Sequence, residues 1–220
     1  MGGPAKPDFR LYLITGGKSA SSGELEDALA KALQGGVKAV QLREKQMPAG
    51  ELLILARRLR ELTERHHARL FINDRVDVAV AAGADGVHLG AAGLPPEAAQ
   101  KAAGGFSPAD KRAKDLMIGV STHSLEDADQ ARRAGAGFIT FGPVFDTPSK
   151  RAYGPPLGIS KLRQAVRAVD IPVFAIGGIK PGNLKDVISA GAFGVALISG
   201  ILGADDIEKQ AGLFMRALEP

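Results

Sequence analysis

Short β-rich segments alternate with amphipathic helical segments along almost the whole chain. Eight β-rich segments can be recognised, namely Leu11–Thr15, Val37–Leu42, Arg69–Ile72, Gly86–Leu89, Leu116–Val120, Phe138–Phe141, Pro172–Ile176 and Gly194–Ile198. Between them, stretches such as Glu51–His66 and Leu125–Arg133 carry apolar residues at the three- and four-residue spacing of a helix that packs on a core. Strands that alternate with helices pair in parallel, and a parallel sheet needs both faces covered. The pattern therefore predicts an α/β protein.

The joints between the helices and the following strands carry a repeated glycine signal. Four helical segments end at Gly35-Gly36, Gly83-Ala84, Gly135-Ala136 and Gly191-Ala192. Because glycine enters the left-handed conformation that commonly ends a helix, each joint predicts a helix stop that leads into a strand. Eight such units favour a single-domain (β/α)8 TIM barrel. A doubly wound open sheet is the alternative, but the segment after the first strand, Thr15–Ser19, does not match the GxGxxG fingerprint.

The length and composition fit one barrel domain. The chain has 220 residues, of which 45% are apolar, and α/β barrels commonly contain about 200 to 250 residues. We expect residues 1–8 to form a flexible N-terminal tail and residues 9–220 to form the barrel domain. The N-terminal stretch lacks the apolar core of a signal peptide, and no apolar run approaches the roughly 18 residues needed to cross a bilayer.

The net charge and the absence of cysteine limit the classes of partner and of active site that we expect. The net charge of +4 comes from 28 basic and 24 acidic residues, and the basic residues are spread along helical stretches, which argues against nucleic acid. The absence of cysteine excludes a disulfide framework, a thiolate metal site and a cysteine nucleophile, and it fits a cytoplasmic location. We therefore expect small anionic partners and no membrane, while the sequence leaves a homo-oligomer open.

Polar side chains follow the second predicted strand, at the end of the barrel where active sites are built. Strand alternation would direct Gln41, Arg43 and Lys45 to the same side if the extended conformation persists. One amide and two cations in that arrangement predict a phosphate-binding site. The alternative is that Arg43 simply pairs with Glu44 or Asp74.

Further candidates follow the third, seventh and eighth strands. Asp74, after Asn73, is either a helix N-cap or a ligand of Mg²⁺, which binds through one or two carboxylates and substrate phosphates. Gly177-Gly178 and Ser199 stand where barrels often bind phosphate through backbone N–H groups. Two anion sites at one rim, with a carboxylate near the first, suggest either two phosphorylated substrates or one long diphosphate, and this arrangement predicts a transferase.

Two long connections and the histidines complete the pattern. Pro143–Gly158 is long for a strand-to-helix connection, and we expect it to act as a lid. Gly104–Asp115 is polar, and we expect a surface loop. We interpret the four histidines as structural, with no hydrolytic Ser-His-Asp triad among them; they are His66, His67, His88 and His123.

Several of these segments combine into a family pattern. They are Gln41–Lys45, Asn73-Asp74, Gly83–Gly90, Gly119–Ser121, Gly142–Phe145 with Thr147 and Lys150, Ile176–Ile179, and Ile198-Ser199. Together, from about Leu11 to Leu202, they resemble the thiamine-phosphate synthases, also called thiamine-phosphate pyrophosphorylases. The combination is specific, although no single segment is.

The resemblance implies an Mg²⁺-dependent barrel enzyme that joins hydroxymethylpyrimidine diphosphate to hydroxyethylthiazole phosphate and releases pyrophosphate. The residues it assigns to the pyrimidine diphosphate are Gln41, Arg43, Lys45, Asn73, Ser121 and Lys150, of which Arg43, Ser121 and Lys150 are the catalytic candidates. Those assigned to the thiazole phosphate are Thr147, Ser149, Gly177, Gly178, Ile198 and Ser199, and Asp74 is the metal ligand. In this family the diphosphate departs before the thiazole nitrogen attacks, so catalysis consists mainly of stabilising charge on the leaving group.

One departure from the family pattern keeps two alternatives open. Family members usually follow His-Leu-Gly with Gln, an acidic residue and Asp, whose Asp is a second Mg²⁺ ligand, whereas this chain has Ala91-Ala92-Gly93. The related thiazole tautomerases lack that metal site but often carry His where Pro143 stands. Because Asp74 and Lys150 are present, we favour the synthase over a tautomerase or a degenerate barrel that binds the phosphates without turnover.

Overall fold

The computed structural model describes residues 6–16, 21–106, 116–147 and 155–219. Eight parallel strands close into a barrel in the order β1 to β8, each paired with its neighbours in sequence and β1 paired with β8. The strands are β1 Leu11–Ile14, β2 Ala39–Leu42, β3 Arg69–Asn73, β4 Gly86–Leu89, β5 Met117–Thr122, β6 Phe138–Phe141, β7 Val173–Ile176 and β8 Gly194–Leu197. The predicted (β/α)8 TIM barrel is confirmed.

Helices cover the outside of the barrel. In the described residues they are α1 Ser22–Gln34, α2 Ala49–Arg65, α3 Val76–Ala81, α4 Pro96–Phe106, α5 Leu125–Arg133, α6 Gly158–Ala168, α7 Leu184–Ser189, α8 Ser199–Leu202 and α9 Ile207–Leu218, with a 3-10 turn at Pro181–Asn183. None of these helices is long and apolar enough to span a membrane. The expected surface loop Gly104–Asp115 is wrong at its start, because α4 continues to Phe106; residues 107–115 lie outside the described residues.

The predicted glycine stops are confirmed by the backbone. Gly36, Gly83, Gly135 and Gly191 all have positive φ angles, between 65° and 98°. Each follows a helix within two residues and precedes the next strand. The left-handed conformation is accessible to glycine without the cost that a Cβ atom would add. These glycines therefore set the points at which the chain turns back into the barrel.

The barrel has two separate apolar layers. An outer core joins the strands to the surrounding helices. An inner cluster fills the lumen, and it consists of Phe9, Tyr12, Ile14, Ala39, Phe71, Met117, Phe138, Phe174 and Ala196. The aromatic rings of this cluster meet at centroid distances of 5.2 to 6.2 Å, largely edge to face. The lumen is therefore a packed interior, and its polar residues lie toward the carboxyl ends of the strands.

Small residues make room for the rings in the lumen. A Cβ atom on Gly86 would lie 2.3 Å from the Phe71 ring, and one on Gly119 would lie 2.4 Å from the Phe138 ring. Real Cβ atoms do not approach that closely, so any side chain at either position would force a shift in a packed interior. Strand alternation then places polar residues, two positions further along, just above the aromatic layer.

The N-terminal end of the barrel is closed by the segment before β1. Phe9 is buried under the aromatic cluster, and Arg10 donates from Nη1 to the carbonyl of Leu218 in α9. Asp8 forms an ion pair with Arg69 at 2.9 Å, which ties this segment to β3. The assignment of residues 1–8 to a tail stays a prediction, since residues 1–5 lie outside the described residues.

Candidate functional site

The carboxyl ends of the eight strands meet at one rim, because all the strands are parallel and the barrel is closed. The described candidates on β2, β3 and β5 and those after β6, β7 and β8 therefore share this rim. The β1 strand separates the β2 candidates from the β8 candidates, and on the other side of the closed barrel β5 pairs directly with β6. Ser149 and Lys150 lie outside the described residues.

The loop after β2 is held by Thr15, which follows β1. The Thr15 hydroxyl accepts a hydrogen bond from the backbone N–H of Arg43 at 2.8 Å and donates to the Glu44 carboxylate at 2.8 Å. In the part of the chain that the structure describes, the Arg43 guanidinium pairs with no carboxylate. The alternative in which Arg43 is neutralised by Glu44 or Asp74 is therefore not supported.

Gln41, Arg43 and Lys45 lie at three different depths. Gln41 is buried in the lumen, where its Nε2 donates to the Tyr12 hydroxyl at 3.0 Å, and Arg43 is half-buried at the rim. The β2 strand ends at Leu42, and Lys45 is exposed in the following turn. The expectation that one extended strand aligns all three side chains is therefore wrong for Lys45, because the chain turns before reaching it.

Asp74 is held in a fixed position beside the loop after β4. Its Oδ1 accepts from the Gly90 backbone N–H at 2.7 Å, and its Oδ2 accepts from the Asn73 amide at 2.8 Å. The α3 helix begins at Val76 with no side-chain cap, so the alternative of Asp74 as a helix N-cap is wrong. Asp74 also has a left-handed φ of 57°, a conformation that Asp tolerates better than most residues.

The departure from the family pattern lies directly against this carboxylate. The Gly93 N–H donates to the Gly90 carbonyl at 2.8 Å and closes a tight turn. A Cβ atom on Gly93 would lie 2.9 Å from Asp74 Oδ1. In the described residues, no cluster of three or more His, Cys, Asp and Glu side chains is placed to hold a metal ion. Asp74 is therefore the metal-ligand candidate at this position, without a second carboxylate from the turn.

His88 and Ser121 face each other across β4 and β5. The His88 Nε2 lies 3.0 Å from the Ser121 Oγ, and the ring is buried against Tyr12 and Phe138. Burial of the ring and, second, the positive charge of Arg43 lower the pKa of His88 from 6.5 to about 3. The imidazole is therefore uncharged near neutral pH.

The loop after β6 packs directly on the loop after β7. Gly177 and Gly178 have φ angles of 97° and 64°. A Cβ atom would lie 2.6 Å from Pro143 Cβ at the first position and 2.7 Å from Phe145 Cβ at the second. The Phe145 N–H donates to the Gly177 carbonyl at 3.1 Å, and the Thr147 hydroxyl donates to the Phe145 carbonyl at 3.0 Å. Only glycine meets both the conformation and the close approach.

The long connection Pro143–Gly158 is joined at its base. The N–H of Leu157 donates to the Pro143 carbonyl at 2.8 Å, and the N–H of Gly158 donates to the Val144 carbonyl at 3.0 Å. Residues 148–154 between these ends lie outside the described residues, so a lid remains a prediction.

The loop after β8 completes the rim. Ile198 is half-buried and packs on the inner aromatic cluster, and Ser199 is exposed at the first residue of α8. The Ile198 carbonyl accepts from the Leu202 N–H at 3.3 Å, which fixes the start of this short helix. The candidates after β7 and β8 therefore lie on neighbouring strands, as the sequence predicts.

Three contributors to the rim were not predicted. Thr15 anchors the Arg43 loop, Tyr12 holds Gln41, and His88, interpreted as structural, contacts the Ser121 candidate. Strand alternation is the sequence signal that could have identified Tyr12, because it places this polar side chain at an inward position of β1. Their partners are 28 to 33 residues away in sequence and are set by strand register alone.

Comparison with known proteins gives a consistent result. A family model described as thiamine monophosphate synthase matches residues 11–201. A Geobacter sulfurreducens protein provisionally named a thiamine-phosphate synthase is 50% identical over 98% of this chain and 97% of its own length. The thiamine-phosphate synthase of Halalkalibacterium halodurans is 40% identical, covering 96% of each chain. The solved thiamine phosphate pyrophosphorylase of Pyrococcus furiosus is 36% identical with a TM-score of 0.82, covering 96% of this chain and 95% of that chain.

Proposed function

The chain belongs to the thiamine monophosphate synthase family and is a transferase of thiamine biosynthesis, and we propose that its barrel rim joins hydroxymethylpyrimidine diphosphate to hydroxyethylthiazole phosphate. The observation that supports this assignment is the position of two candidate anion sites on one rim, namely Arg43 after β2, which pairs with no carboxylate in the described residues, and the glycine pair after β7. The sequence-based choice of a synthase agrees with the names of the relatives.

The β2 and β3 side of the rim binds the pyrimidine diphosphate. Arg43 offers a planar guanidinium that grips two phosphate oxygens at once, and the Thr15 hydroxyl fixes the backbone from which it projects. Lys45 and Lys150 add positive charge around the diphosphate. Gln41, Asn73 and Ser121 offer hydrogen-bonding groups to the pyrimidine ring.

The β7 and β8 side binds the thiazole phosphate. Gly178 has no side chain and Ser199 is the first residue of α8, so their backbone N–H groups are the proposed donors to the phosphate oxygens. Thr147 is half-buried in the loop that packs on Gly177 and, with Ser149, supplies hydroxyl groups. Ile198 presents an apolar side chain to the thiazole ring.

Asp74 is the residue that would hold Mg²⁺ at this rim. Each Asp74 oxygen accepts one hydrogen bond and keeps a lone pair for a cation. One carboxylate is sufficient when substrate phosphate oxygens and water complete the shell. When bound, the ion neutralises negative charge on the departing pyrophosphate. The missing carboxylate at Gly93 predicts weaker Mg²⁺ binding than in relatives that have two.

The chemistry requires one bond exchange and no general base. The bond between the pyrimidine methylene carbon and the diphosphate oxygen breaks with its electron pair leaving on pyrophosphate. The thiazole nitrogen then donates its lone pair to the same carbon, and thiamine phosphate forms. Arg43, Lys45 and Lys150 stabilise the charge that develops on the leaving group.

Thiazole isomerisation is the weaker assignment for this rim. That reaction needs a group that carries a proton, and Pro143 stands where the tautomerases often carry His. The Pro143 ring packs against Gly177, and it has no titratable atom.

The test is an assay with both substrates and Mg²⁺. We expect thiamine phosphate and pyrophosphate in equal amounts, with Asp74→Asn much slower in turnover and nearly unchanged in thiazole phosphate binding. Isomerised thiazole phosphate alone would instead identify a tautomerase, and tight binding of both substrates without any product would identify a degenerate barrel. Equal effects of Asp74→Asn on both substrates would remove Asp74 from the metal role.

A cytoplasmic location, a homo-oligomer and a single domain over residues 9–220 remain predictions. Fractionation of the source cells and sedimentation of the purified protein test the first two. Limited proteolysis that stops near residue 9 would support the third.

A further inference from the structure

His88 is a buried polar side chain that the coupling reaction, as described above, does not use. Its residue is only 2% exposed, yet its Nδ1 has no hydrogen-bond partner among the residues that the structure describes. The ring fits only because its register partner on β5 is Gly119, where a Cβ atom would lie 2.5 Å from Nδ1. An apolar side chain would fill this space without leaving a buried polar atom unsatisfied, so packing alone does not account for a histidine here.

The hydrogen-bond geometry fixes the direction of the bond to Ser121. A proton on Nδ1 would be a buried N–H donor with no acceptor, which proteins rarely contain. A proton on Nε2 finds the Ser121 Oγ at 3.0 Å. Nε2 therefore donates, Ser121 Oγ accepts, and Nδ1 keeps a bare lone pair. This direction holds whether or not the ring carries a second proton, because Nε2 is a donor in both forms.

The consequence concerns the Ser121 hydroxyl proton. In the described parts of the chain, the Ser121 Oγ has no other hydrogen-bond partner than His88. Because one of its two lone pairs receives the His88 proton, its own proton is not used in that bond. Ser121 is half-buried one residue before the end of β5, so a ligand at the rim can accept this proton.

We propose that His88 is a positioning residue for the pyrimidine substrate: by donating to Ser121, it fixes the Ser121 hydroxyl as a hydrogen-bond donor to an acceptor atom of the pyrimidine diphosphate. The inference rests on the proposed function and adds a residue and a direction to it. An acceptor atom of the substrate is favoured at this position, because the His88 bond occupies one of the two Ser121 Oγ lone pairs and leaves the hydroxyl proton available.

The direct test is the protonation of the ring itself. Long-range ¹⁵N–¹H NMR of the intact protein distinguishes the two nitrogens of each of its four histidines. We expect a protonated Nε2 and a bare Nδ1 for His88, assigned by its loss in His88→Gln. A proton on Nδ1 with a bare Nε2 would overturn the proposal, because Ser121 would then donate to His88 and not to the substrate.

The kinetic test separates positioning from folding. His88→Leu should lower kcat/KM for the pyrimidine diphosphate by about 10-fold, the loss expected from one hydrogen bond of ordinary net strength, and leave the KM for thiazole phosphate unchanged. His88→Gln, whose amide can donate to Ser121, should recover most of that loss. A loss shared equally by both substrates, or no recovery in His88→Gln, would contradict positioning.

A double-mutant cycle closes the argument, and the NMR measurement on the wild-type protein keeps the proposal testable if His88→Leu does not fold. In the Ser121→Ala background, His88→Gln and His88→Leu should have the same kcat/KM, because the hydroxyl they would orient is gone. A difference between them in that background would overturn the proposal. Failure of the proposed function is distinct, because the wild-type protein would then form no thiamine phosphate.

Discussion

Restoring a carboxylate at Gly93 is the perturbation that the geometry defines best. A Cβ atom there would lie 2.9 Å from Asp74 Oδ1, so an Asp side chain would stand directly beside the existing carboxylate. The Gly93 backbone is not in the left-handed region, so a side chain there meets no dihedral strain. The Cβ atom would also lie 3.0 Å from the Gly90 carbonyl oxygen, so the Asp74 carboxylate and this turn must shift slightly to admit it. We expect Gly93→Asp to create a two-carboxylate Mg²⁺ site.

The size of the effect follows from the charges. Two carboxylates about 4 Å apart repel by about 4 kcal/mol at an effective dielectric constant near 20, and by about 1 kcal/mol in water. Without Mg²⁺ the variant should therefore be less stable, and each kcal/mol lowers Tm by about 2 to 4 °C for a chain of this size. With Mg²⁺ bound, the second carboxylate should instead stabilise the variant. Loss of even an indirect partner of a metal ligand typically costs about 10 to 100-fold in affinity or activity, so gaining a direct ligand should lower the apparent Mg²⁺ requirement by at least that factor.

The assay is a titration of the initial coupling rate with Mg²⁺ and a thermal melt with and without the ion. Gly93→Asn is the matched control, because it adds nearly the same volume without a charge. We expect Gly93→Asp to need less Mg²⁺ than the wild type and Gly93→Asn to need the same or more. If the two variants have the same Mg²⁺ dependence, Asp74 does not bind the metal, and the assignment of this corner of the rim is refuted.

Three further predictions test other parts of the structure. Arg43→Lys keeps the charge but loses the two-point hydrogen bonding to phosphate. We expect kcat/KM for the pyrimidine diphosphate to fall about 10-fold or more, while the KM for thiazole phosphate stays constant. Unchanged kinetics would count against the β2 anion site. Gly177→Ala adds about 1 to 2 kcal/mol of left-handed strain and a steric clash, so thiazole phosphate binding and Tm should both decrease, whereas Gly182→Ala, with open space around it, should change neither. Arg69 lowers the pKa of Asp8 from 3.8, so this pair stabilises the fold above about pH 4, and the contribution is lost as the pH falls through the lowered pKa. The Tm values of the wild type and of Asp8→Asn should therefore differ near neutral pH and converge in acid. A difference in Tm that stays constant with pH would contradict the pairing.

The fold could be predicted closely because its signals are local. Each observed strand lies within two residues of its predicted bounds, since apolar runs and glycine stops mark both ends. The glycine joints are visible in the sequence because the left-handed conformation restricts residue type at that one position. Parallel alternation then determines which ends of the strands meet.

The sequence predicts which residues lie at the rim only where position along a single strand is sufficient. Asp74 and Gly178 follow directly from their positions after a strand, but the Thr15 contact with Arg43 and the His88 contact with Ser121 depend on register between strands. The prediction for Lys45 failed because it applied strand alternation beyond Leu42, where β2 ends and the chain turns. The N-cap alternative for Asp74 failed for a related reason, since α3 begins two residues later.

A structure of the protein with thiamine phosphate and pyrophosphate bound together tests the central claim most directly. The account predicts pyrophosphate against Arg43 and Asp74, and the phosphate of thiamine phosphate against the backbone of Gly178 and Ser199, with the pyrimidine ring over Ser121. Both anions in one subsite, or thiamine phosphate bound away from the rim, would contradict it.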